Sequence, residues 1–151
     1  MRELVAELAL GLREHVLPQL GSHAGRAHLQ AGTGGDVTFA IDEEAEAYLE
    51  RFLAEKAPDV AYYSEDRGLM GADSAGTVLL VDPIDGTRPA MAGLESCCVA
   101  VAAAPLGDGA PTMGDVDVGC VVESRAGRRS SQSEALEYRS ARPTANCELP
   151  T

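Results

Sequence analysis

Val78-Leu79-Leu80-Val81-Asp82-Pro83-Ile84-Asp85-Gly86-Thr87 is the stretch whose reading decides the fold. Its four leading apolar residues, introduced by Gly76-Thr77, form a short unbroken run of the kind found in a strand buried on both faces. The run ends on two carboxylates three positions apart. Pro83 fixes the backbone between them, Gly86 permits close approach, and Thr87 adds a hydroxyl. A strand end followed by a sharp turn is where α/β proteins place their chemistry. Two carboxylates this close repel unless a cation lies between them. Their hard oxygen donors suit Mg²⁺ or Mn²⁺ better than zinc. Backbone N–H groups around Gly86 and Thr87 can face an anion. The stretch therefore reads as a carboxylate metal site that also receives a phosphate group. Asp, Pro, Gly and Thr are also ordinary turn residues, so the stretch alone leaves a plain surface turn open. Two other motifs are excluded. An EF-hand would need Glu at its twelfth position, where Gly93 stands. A phosphatase of the D-x-D type would need its aspartates two apart.

Working outward, residues 2 to 20 predict an amphipathic helix with Leu4, Leu8, Leu12 and Val16 in one i,i+4 row, ended by Gly21. Residues 21 to 36 are glycine-rich and read as loop. Asp42 is placed to cap a second helix running to about Ala57, with Glu43, Glu44 and Glu46 in its first turns complementing the helix dipole. These glutamates read as a solvated helix face. Val60 to Ser64, Ser96 to Ala104 and Val116 to Val122 predict further strands. Ser64-Glu65-Asp66 follows a strand end and supplies another carboxylate. Asp36-Val37-Thr38 with Ile41-Asp42 supplies a polar loop and a carboxylate at a helix start.

Three pieces in this order resemble the inositol monophosphatase family of Mg²⁺-dependent, lithium-sensitive sugar phosphatases, which includes fructose-1,6-bisphosphatase relatives. They are Gly35-Asp36-Val37-Thr38-Phe39-Ala40-Ile41-Asp42-Glu43-Glu44-Ala45-Glu46, then Ser64-Glu65-Asp66, then Val81-Asp82-Pro83-Ile84-Asp85-Gly86-Thr87. The resemblance covers roughly residues 1 to 123. It implies that Glu65 binds a first metal, that Asp82 bridges metals, that the Ile84 carbonyl completes the first site, and that Asp85 holds a second metal. It implies phosphate contacts at Gly86 and Thr87, and an attacking water positioned by Asp42 and Thr87. The implied activity is hydrolysis of a small phosphorylated metabolite, such as inositol monophosphate or a sugar phosphate, by a metal-activated water with Mg²⁺ (or Mn²⁺) as cofactor. The family is often dimeric, so a homodimer is an expectation. Arg88 and the Glu95-Ser96-Cys97 segment are candidates for the site rim.

The resemblance also implies a second half with a Trp-Asp motif, and this chain of 151 residues has no Trp. After Asp85 the only aspartates are Asp108, Asp115 and Asp117, none in such a motif. The expectation is an N-terminal half, cut short, with reduced or no activity and with apolar sheet surface left uncovered. Alternatives are an inactive fragment that binds Mg²⁺ or phosphate, and an acidic interaction module. The expected architecture is α/β (α+β): two helices packed on a mostly antiparallel sheet over residues 1–123, followed by an irregular, disordered tail over 124–151.

Composition agrees. Formal net charge is −12, from 24 acidic and 12 basic residues, which disfavours nucleic-acid backbones and anionic membranes as partners. With aromatic residues at 4% and no Trp, the core must be built from Ala, Val, Leu and Ile. Charges interrupt the apolar pattern of the N-terminus, leaving no secretory h-region. Cys97, Cys98, Cys120 and Cys147 form no metal-finger spacing and read as free thiols of a cytoplasmic protein. His15, His23 and His28 lack ligand spacing and read as surface residues.

Overall fold

The computed structural model describes residues 1–22, 28–31, 37–71, 74–94, 96–107, 110–124 and 136–138. His23, Asp36, Glu95, Asp108, Cys147 and most of the 124–151 segment fall outside them.

The first helix, α1 (Arg2–Val16), buries Val5, Leu8, Ala9, Leu12 and Val16 completely. A single 3₁₀ turn, Leu17–Gln19, then turns the chain, with Pro18 at its start. The Gly21 N–H donates to the Ala90 carbonyl at 2.9 Å, tying this corner to a distant segment. Two short strands follow where a loop was expected, β1 (His28–Ala31) and β2 (Val37–Phe39), paired antiparallel with one irregularity. Glycines in and around this stretch hide the strand alternation that would have announced it.

The second helix, α2 (Ala40–Lys56), starts before Asp42. Asp42 is therefore not the N-cap, as the sequence had suggested. Phe39 holds that place, and Asp42 sits in the first turn with its Oδ2 accepting the Phe39 N–H at 3.0 Å. This is the back-reaching half of a capping box, and it serves the helix start as an N-cap would.

The main sheet comprises β3 (Ala61–Ser64), β4 (Gly68–Met70), β5 (Thr77–Asp85), β6 (Cys98–Pro105), β7 (Val118–Glu123) and β8 (Leu136–Tyr138). Its spatial order is β4-β3-β5-β6-β7-β8. Among the described residues only the β3–β5 pair is parallel; the other pairs are antiparallel. A short helix, α3 (Thr87–Met91), follows β5. The architecture is the α/β one expected, helices against a mostly antiparallel sheet. β4, α3 and β8 are additions, each too short to carry a periodic signal.

The core lies between one sheet face and the two long helices. Leu79, Val81, Val99, Val101 and Val122 pack there against Leu8 and Leu12 of α1 and Ile41, Leu49 and Leu53 of α2. Each such side chain contributes roughly 1.5–3 kcal/mol relative to exposure. Arg13 of α1 is also buried, and its Nε donates to the Glu123 carbonyl at 2.9 Å, fastening the first helix to the end of β7. The opposite sheet face is different. Tyr63, Leu80, Ala100, Ala102 and Val121 line an open apolar groove of about 730 Å³ there, with Met113 at its side.

Candidate metal and phosphate site

The one parallel pair builds the site. Ser64 of β3 stands level with Val81 of β5, so the residues that follow, Glu65 and Asp82, emerge together at the same end of the sheet. In an antiparallel pair they would leave at opposite ends.

The end of β5 is irregular in a way that matters. Asp82 pairs with Ala100 and Asp85 with Cys98, so β5 carries one more residue than β6 across this interval. Such a bulge re-aims the side chains beyond it. Ile84, which simple alternation would place on the same face as Asp82, is instead 4% exposed and packed into the helix-facing core. Asp85 is left exposed. The motif expected as a turn after the strand is thus the bulged last part of the strand itself, and the turn comes at Gly86. Gly86 has φ +95°, and a Cβ there would meet the Ser96 carbonyl oxygen at 2.9 Å. Only glycine satisfies both conditions.

Hydrogen bonds connect the separate pieces. The Ile84 N–H donates to Asp82 Oδ1 at 3.1 Å. Thr87 Oγ1 lies 3.2 Å from Asp42 Oδ1 and 3.2 Å from the Ile84 carbonyl. It has one proton to give, so it serves one acceptor at a time. Asp42, Glu65, Asp82, Ile84 and Thr87 line one cavity of about 80 Å³, together with Phe39, Glu46, Asp66, Pro83 and Arg88. Asp85 and Gly86 stand beside that cavity; Asp85 Oδ2 accepts the Cys98 thiol at 3.5 Å.

Charge is crowded in this space. Asp82 is pushed up to about 6, first by burial and then by the charge of Asp85, with Glu65 and Asp42 adding to it and the Ile84 N–H opposing. Burial also raises Asp42, against the Phe39 N–H and the Thr87 hydroxyl. Burial and Asp85 hold the Cys98 thiol at about 11, so it is protonated and unreactive at neutral pH.

Glu46 departs from the solvated helix face that the sequence predicts for it with Glu43 and Glu44. The latter two are exposed, but Glu46 is 2% exposed and lines the cavity. Its position four residues after Asp42 puts both on one face of α2, and that spacing was the available signal. His15 stacks on Tyr48 with ring centroids 5.1 Å apart and takes no part in the site. Arg88 is exposed at the cavity rim.

The donor set fits a hard divalent cation. It offers carboxylate oxygens and one backbone carbonyl, at a place where negative charges are held together against repulsion. Among the described residues, no three acidic, imidazole or thiol groups converge into a ready-made cage. Mg²⁺ needs none, since it keeps several waters and takes one or two carboxylates.

Comparison with known proteins gives a consistent result. The family model described as "Inositol monophosphatase family" matches residues 2–134. Inositol monophosphatase 2 of Saccharomyces cerevisiae is 29% identical over 101 residues, which cover 64% of this chain and 35% of that protein. Among solved structures, an inositol monophosphatase-fructose 1,6 bisphosphatase superposes with a TM-score of 0.71 at 18% identity, over 92% of this chain and 49% of the other. The Thermotoga maritima IMPase superposes with a TM-score of 0.64 at 20% identity, over 89% and 46%. The chain thus spans about half the length of these structures. The family match spans most of the chain and the fold is shared with these structures: this chain belongs to the inositol monophosphatase family.

Proposed function

We propose that this chain carries the metal- and phosphate-binding half of a phosphomonoesterase centre acting on a small phosphorylated metabolite, inositol monophosphate or a sugar phosphate. The observation that supports it best is the Thr87 hydroxyl set between Asp42 Oδ1 and the Ile84 carbonyl at the edge of the acidic cavity. It joins the first and third sequence pieces at one point.

In this reading Glu65, Asp82, Asp85 and the Ile84 carbonyl hold Mg²⁺ or Mn²⁺. The cation, when bound, lowers the pKa of water and offsets charge on the phosphoryl oxygens and leaving alkoxide. Thr87 and Asp42 do the protein's share of proton handling. With its proton directed to Asp42 Oδ1, Thr87 Oγ1 is free to accept a hydrogen bond from the attacking water. That direction also leaves the Ile84 carbonyl available as a ligand. The Phe39 N–H fixes the other oxygen of Asp42, so the carboxylate keeps its orientation. Gly86, without a side chain, lets the phosphate approach the turn. A cytoplasmic setting suits the free thiols Cys97, Cys98 and Cys120.

The test is release of inorganic phosphate from inositol 1-phosphate and from fructose 1,6-bisphosphate, paired with Mg²⁺ binding by calorimetry. The expected result is Mg²⁺-dependent release that lithium suppresses. Thr87→Ala should lower it about 100-fold or more, in line with loss of a positioned proton acceptor, and Thr87→Ser should restore most of it. Mg²⁺ binding without turnover would leave a binding function alone. Absence of Mg²⁺ binding, or binding that Asp82→Asn leaves unchanged, would sink both metal-based readings in favour of an acidic interaction module.

A further inference from the structure

Glu65 is carried on an exposed support. It opens the turn between β3 and β4, and β4 is the edge strand of the sheet. Pairing with β5 aligns β3 along its length but does not fix the tip of the hairpin against α2, where Asp42 resides. The tip is held by side chains. Arg67, two residues after Glu65, folds back onto α2: its Nη1 pairs with Glu50 Oε1, and its Nε lies 3.7 Å from Glu46 Oε2. Tyr62 of β3 donates to the same Glu50 Oε1 at 3.4 Å. Asp42, Glu46 and Glu50 follow one another at i,i+4 spacing, so Arg67 clasps the helix face that also presents Asp42.

Glu46 gives the clasp its energetic weight. Its side chain is 3% exposed. Burial works against its charge, and what favours the charged form is the neighbouring, fully buried Ser64 hydroxyl together with Arg67. A carboxylate in that position is costly unless a cation lies near, and its acidic neighbours Asp66 and Glu50 make it more so. Removing the guanidinium therefore sets the hairpin tip and α2 against each other.

We propose that Arg67 is a positioning residue which, through Glu46 and Glu50, holds the Glu65 turn against Asp82 and Asp42 and so sets the divalent-cation affinity of the cavity. This rests on the metal-binding reading above and is separable from it. The experiment is calorimetric titration of Mg²⁺ or Mn²⁺ into the wild-type chain and into Arg67→Ala, Arg67→Lys, Glu50→Gln and Asp82→Asn. Each is titrated well below its own melting temperature, with folding checked by circular dichroism. Loss of a supporting contact around a metal ligand typically costs 10- to 100-fold in affinity. Arg67→Ala should lie in that range, Glu50→Gln should weaken binding severalfold, and Arg67→Lys should recover part of the loss. A merely structural role would lower the melting temperature and leave the affinity of the folded protein unchanged. If the wild type binds and Asp82→Asn does not, yet folded Arg67→Ala binds like wild type, the inference fails while the metal site stands. If Arg67→Ala does not fold, Glu50→Gln with wild-type affinity overturns it equally. If the wild type binds neither ion, the metal reading itself fails and the inference with it.

Discussion

At Asp82, burial and neighbouring charges act together. An unperturbed aspartate has a pKa of 3.8, and in the folded chain this one rises to about 6. A carboxyl whose folded pKa is raised binds protons more readily in the native state. Its contribution to stability is full below about 4 and is lost as pH rises through about 6. Asp42 and Glu46, also raised, act with the same sign. The metal-free protein should therefore melt at falling temperature between pH 4 and pH 7. Asp82→Asn should reduce that slope and raise the melting temperature at pH 7.5. Mg²⁺ should raise the melting temperature of wild type at pH 7.5, have little effect at pH 4.5, and have none on Asp82→Asn. Differential scanning calorimetry measures all of these, and a slope indifferent to Asp82→Asn would refute the assignment. The same residue shows what was legible beforehand. The spacing of Asp82 and Asp85 after an apolar run announced clustered carboxylates. The bulge between them was not announced, because it arises from pairing with β6, a partner the local sequence does not name. Glu46 was misjudged for a related reason: its burial depends on where the β3–β4 hairpin docks.

Among the elements, the long ones were readable, as was the four-residue β3, while the other short ones were not. α1, α2 and β5 each carry enough apolar residues at helical or strand spacing to declare themselves. β1, β2, β4 and α3 are too short, and their existence is decided by what they pack against. The join of β5 to α3 is the element-level weak point. Gly86→Ala would combine a left-handed backbone with a Cβ at 2.9 Å from the Ser96 carbonyl oxygen. A strained position of this kind costs about 1–3 kcal/mol, and relief would move Thr87 away from Asp42. Urea unfolding should show the stability loss, and phosphate release should fall by more than Thr87→Ser causes. A stability change under about 0.5 kcal/mol, the range of ordinary surface substitutions, would show that the turn relaxes freely.

For the molecule as a whole, the two sheet faces have different fates. One is sealed by α1 and α2. The other presents the apolar groove around Leu80, Ala102 and Val121, with Val121 40% exposed. An open apolar patch of this kind recruits hydrophobic dyes and partners. 8-Anilinonaphthalene-1-sulfonate should fluoresce in the presence of the native protein, and Val121→Glu should reduce that signal without lowering the far-ultraviolet dichroism. Unchanged fluorescence would place dye binding elsewhere. The groove adjoins the acidic cavity, since Glu65 and Asp82 border both, so whatever covers it also borders the metal ligands.

The bond from Arg13 to the Glu123 carbonyl spans 110 positions of sequence, and this has a consequence during synthesis. The first helix leaves the ribosome long before the strands that receive it. At about 5–20 residues per second, its apolar stripe waits on the order of 5–20 s for β6 and β7. Over that interval the nascent chain depends on chaperones, or on α2 as a temporary shield, and slowing translation between residues 20 and 100 should lower the yield of soluble protein.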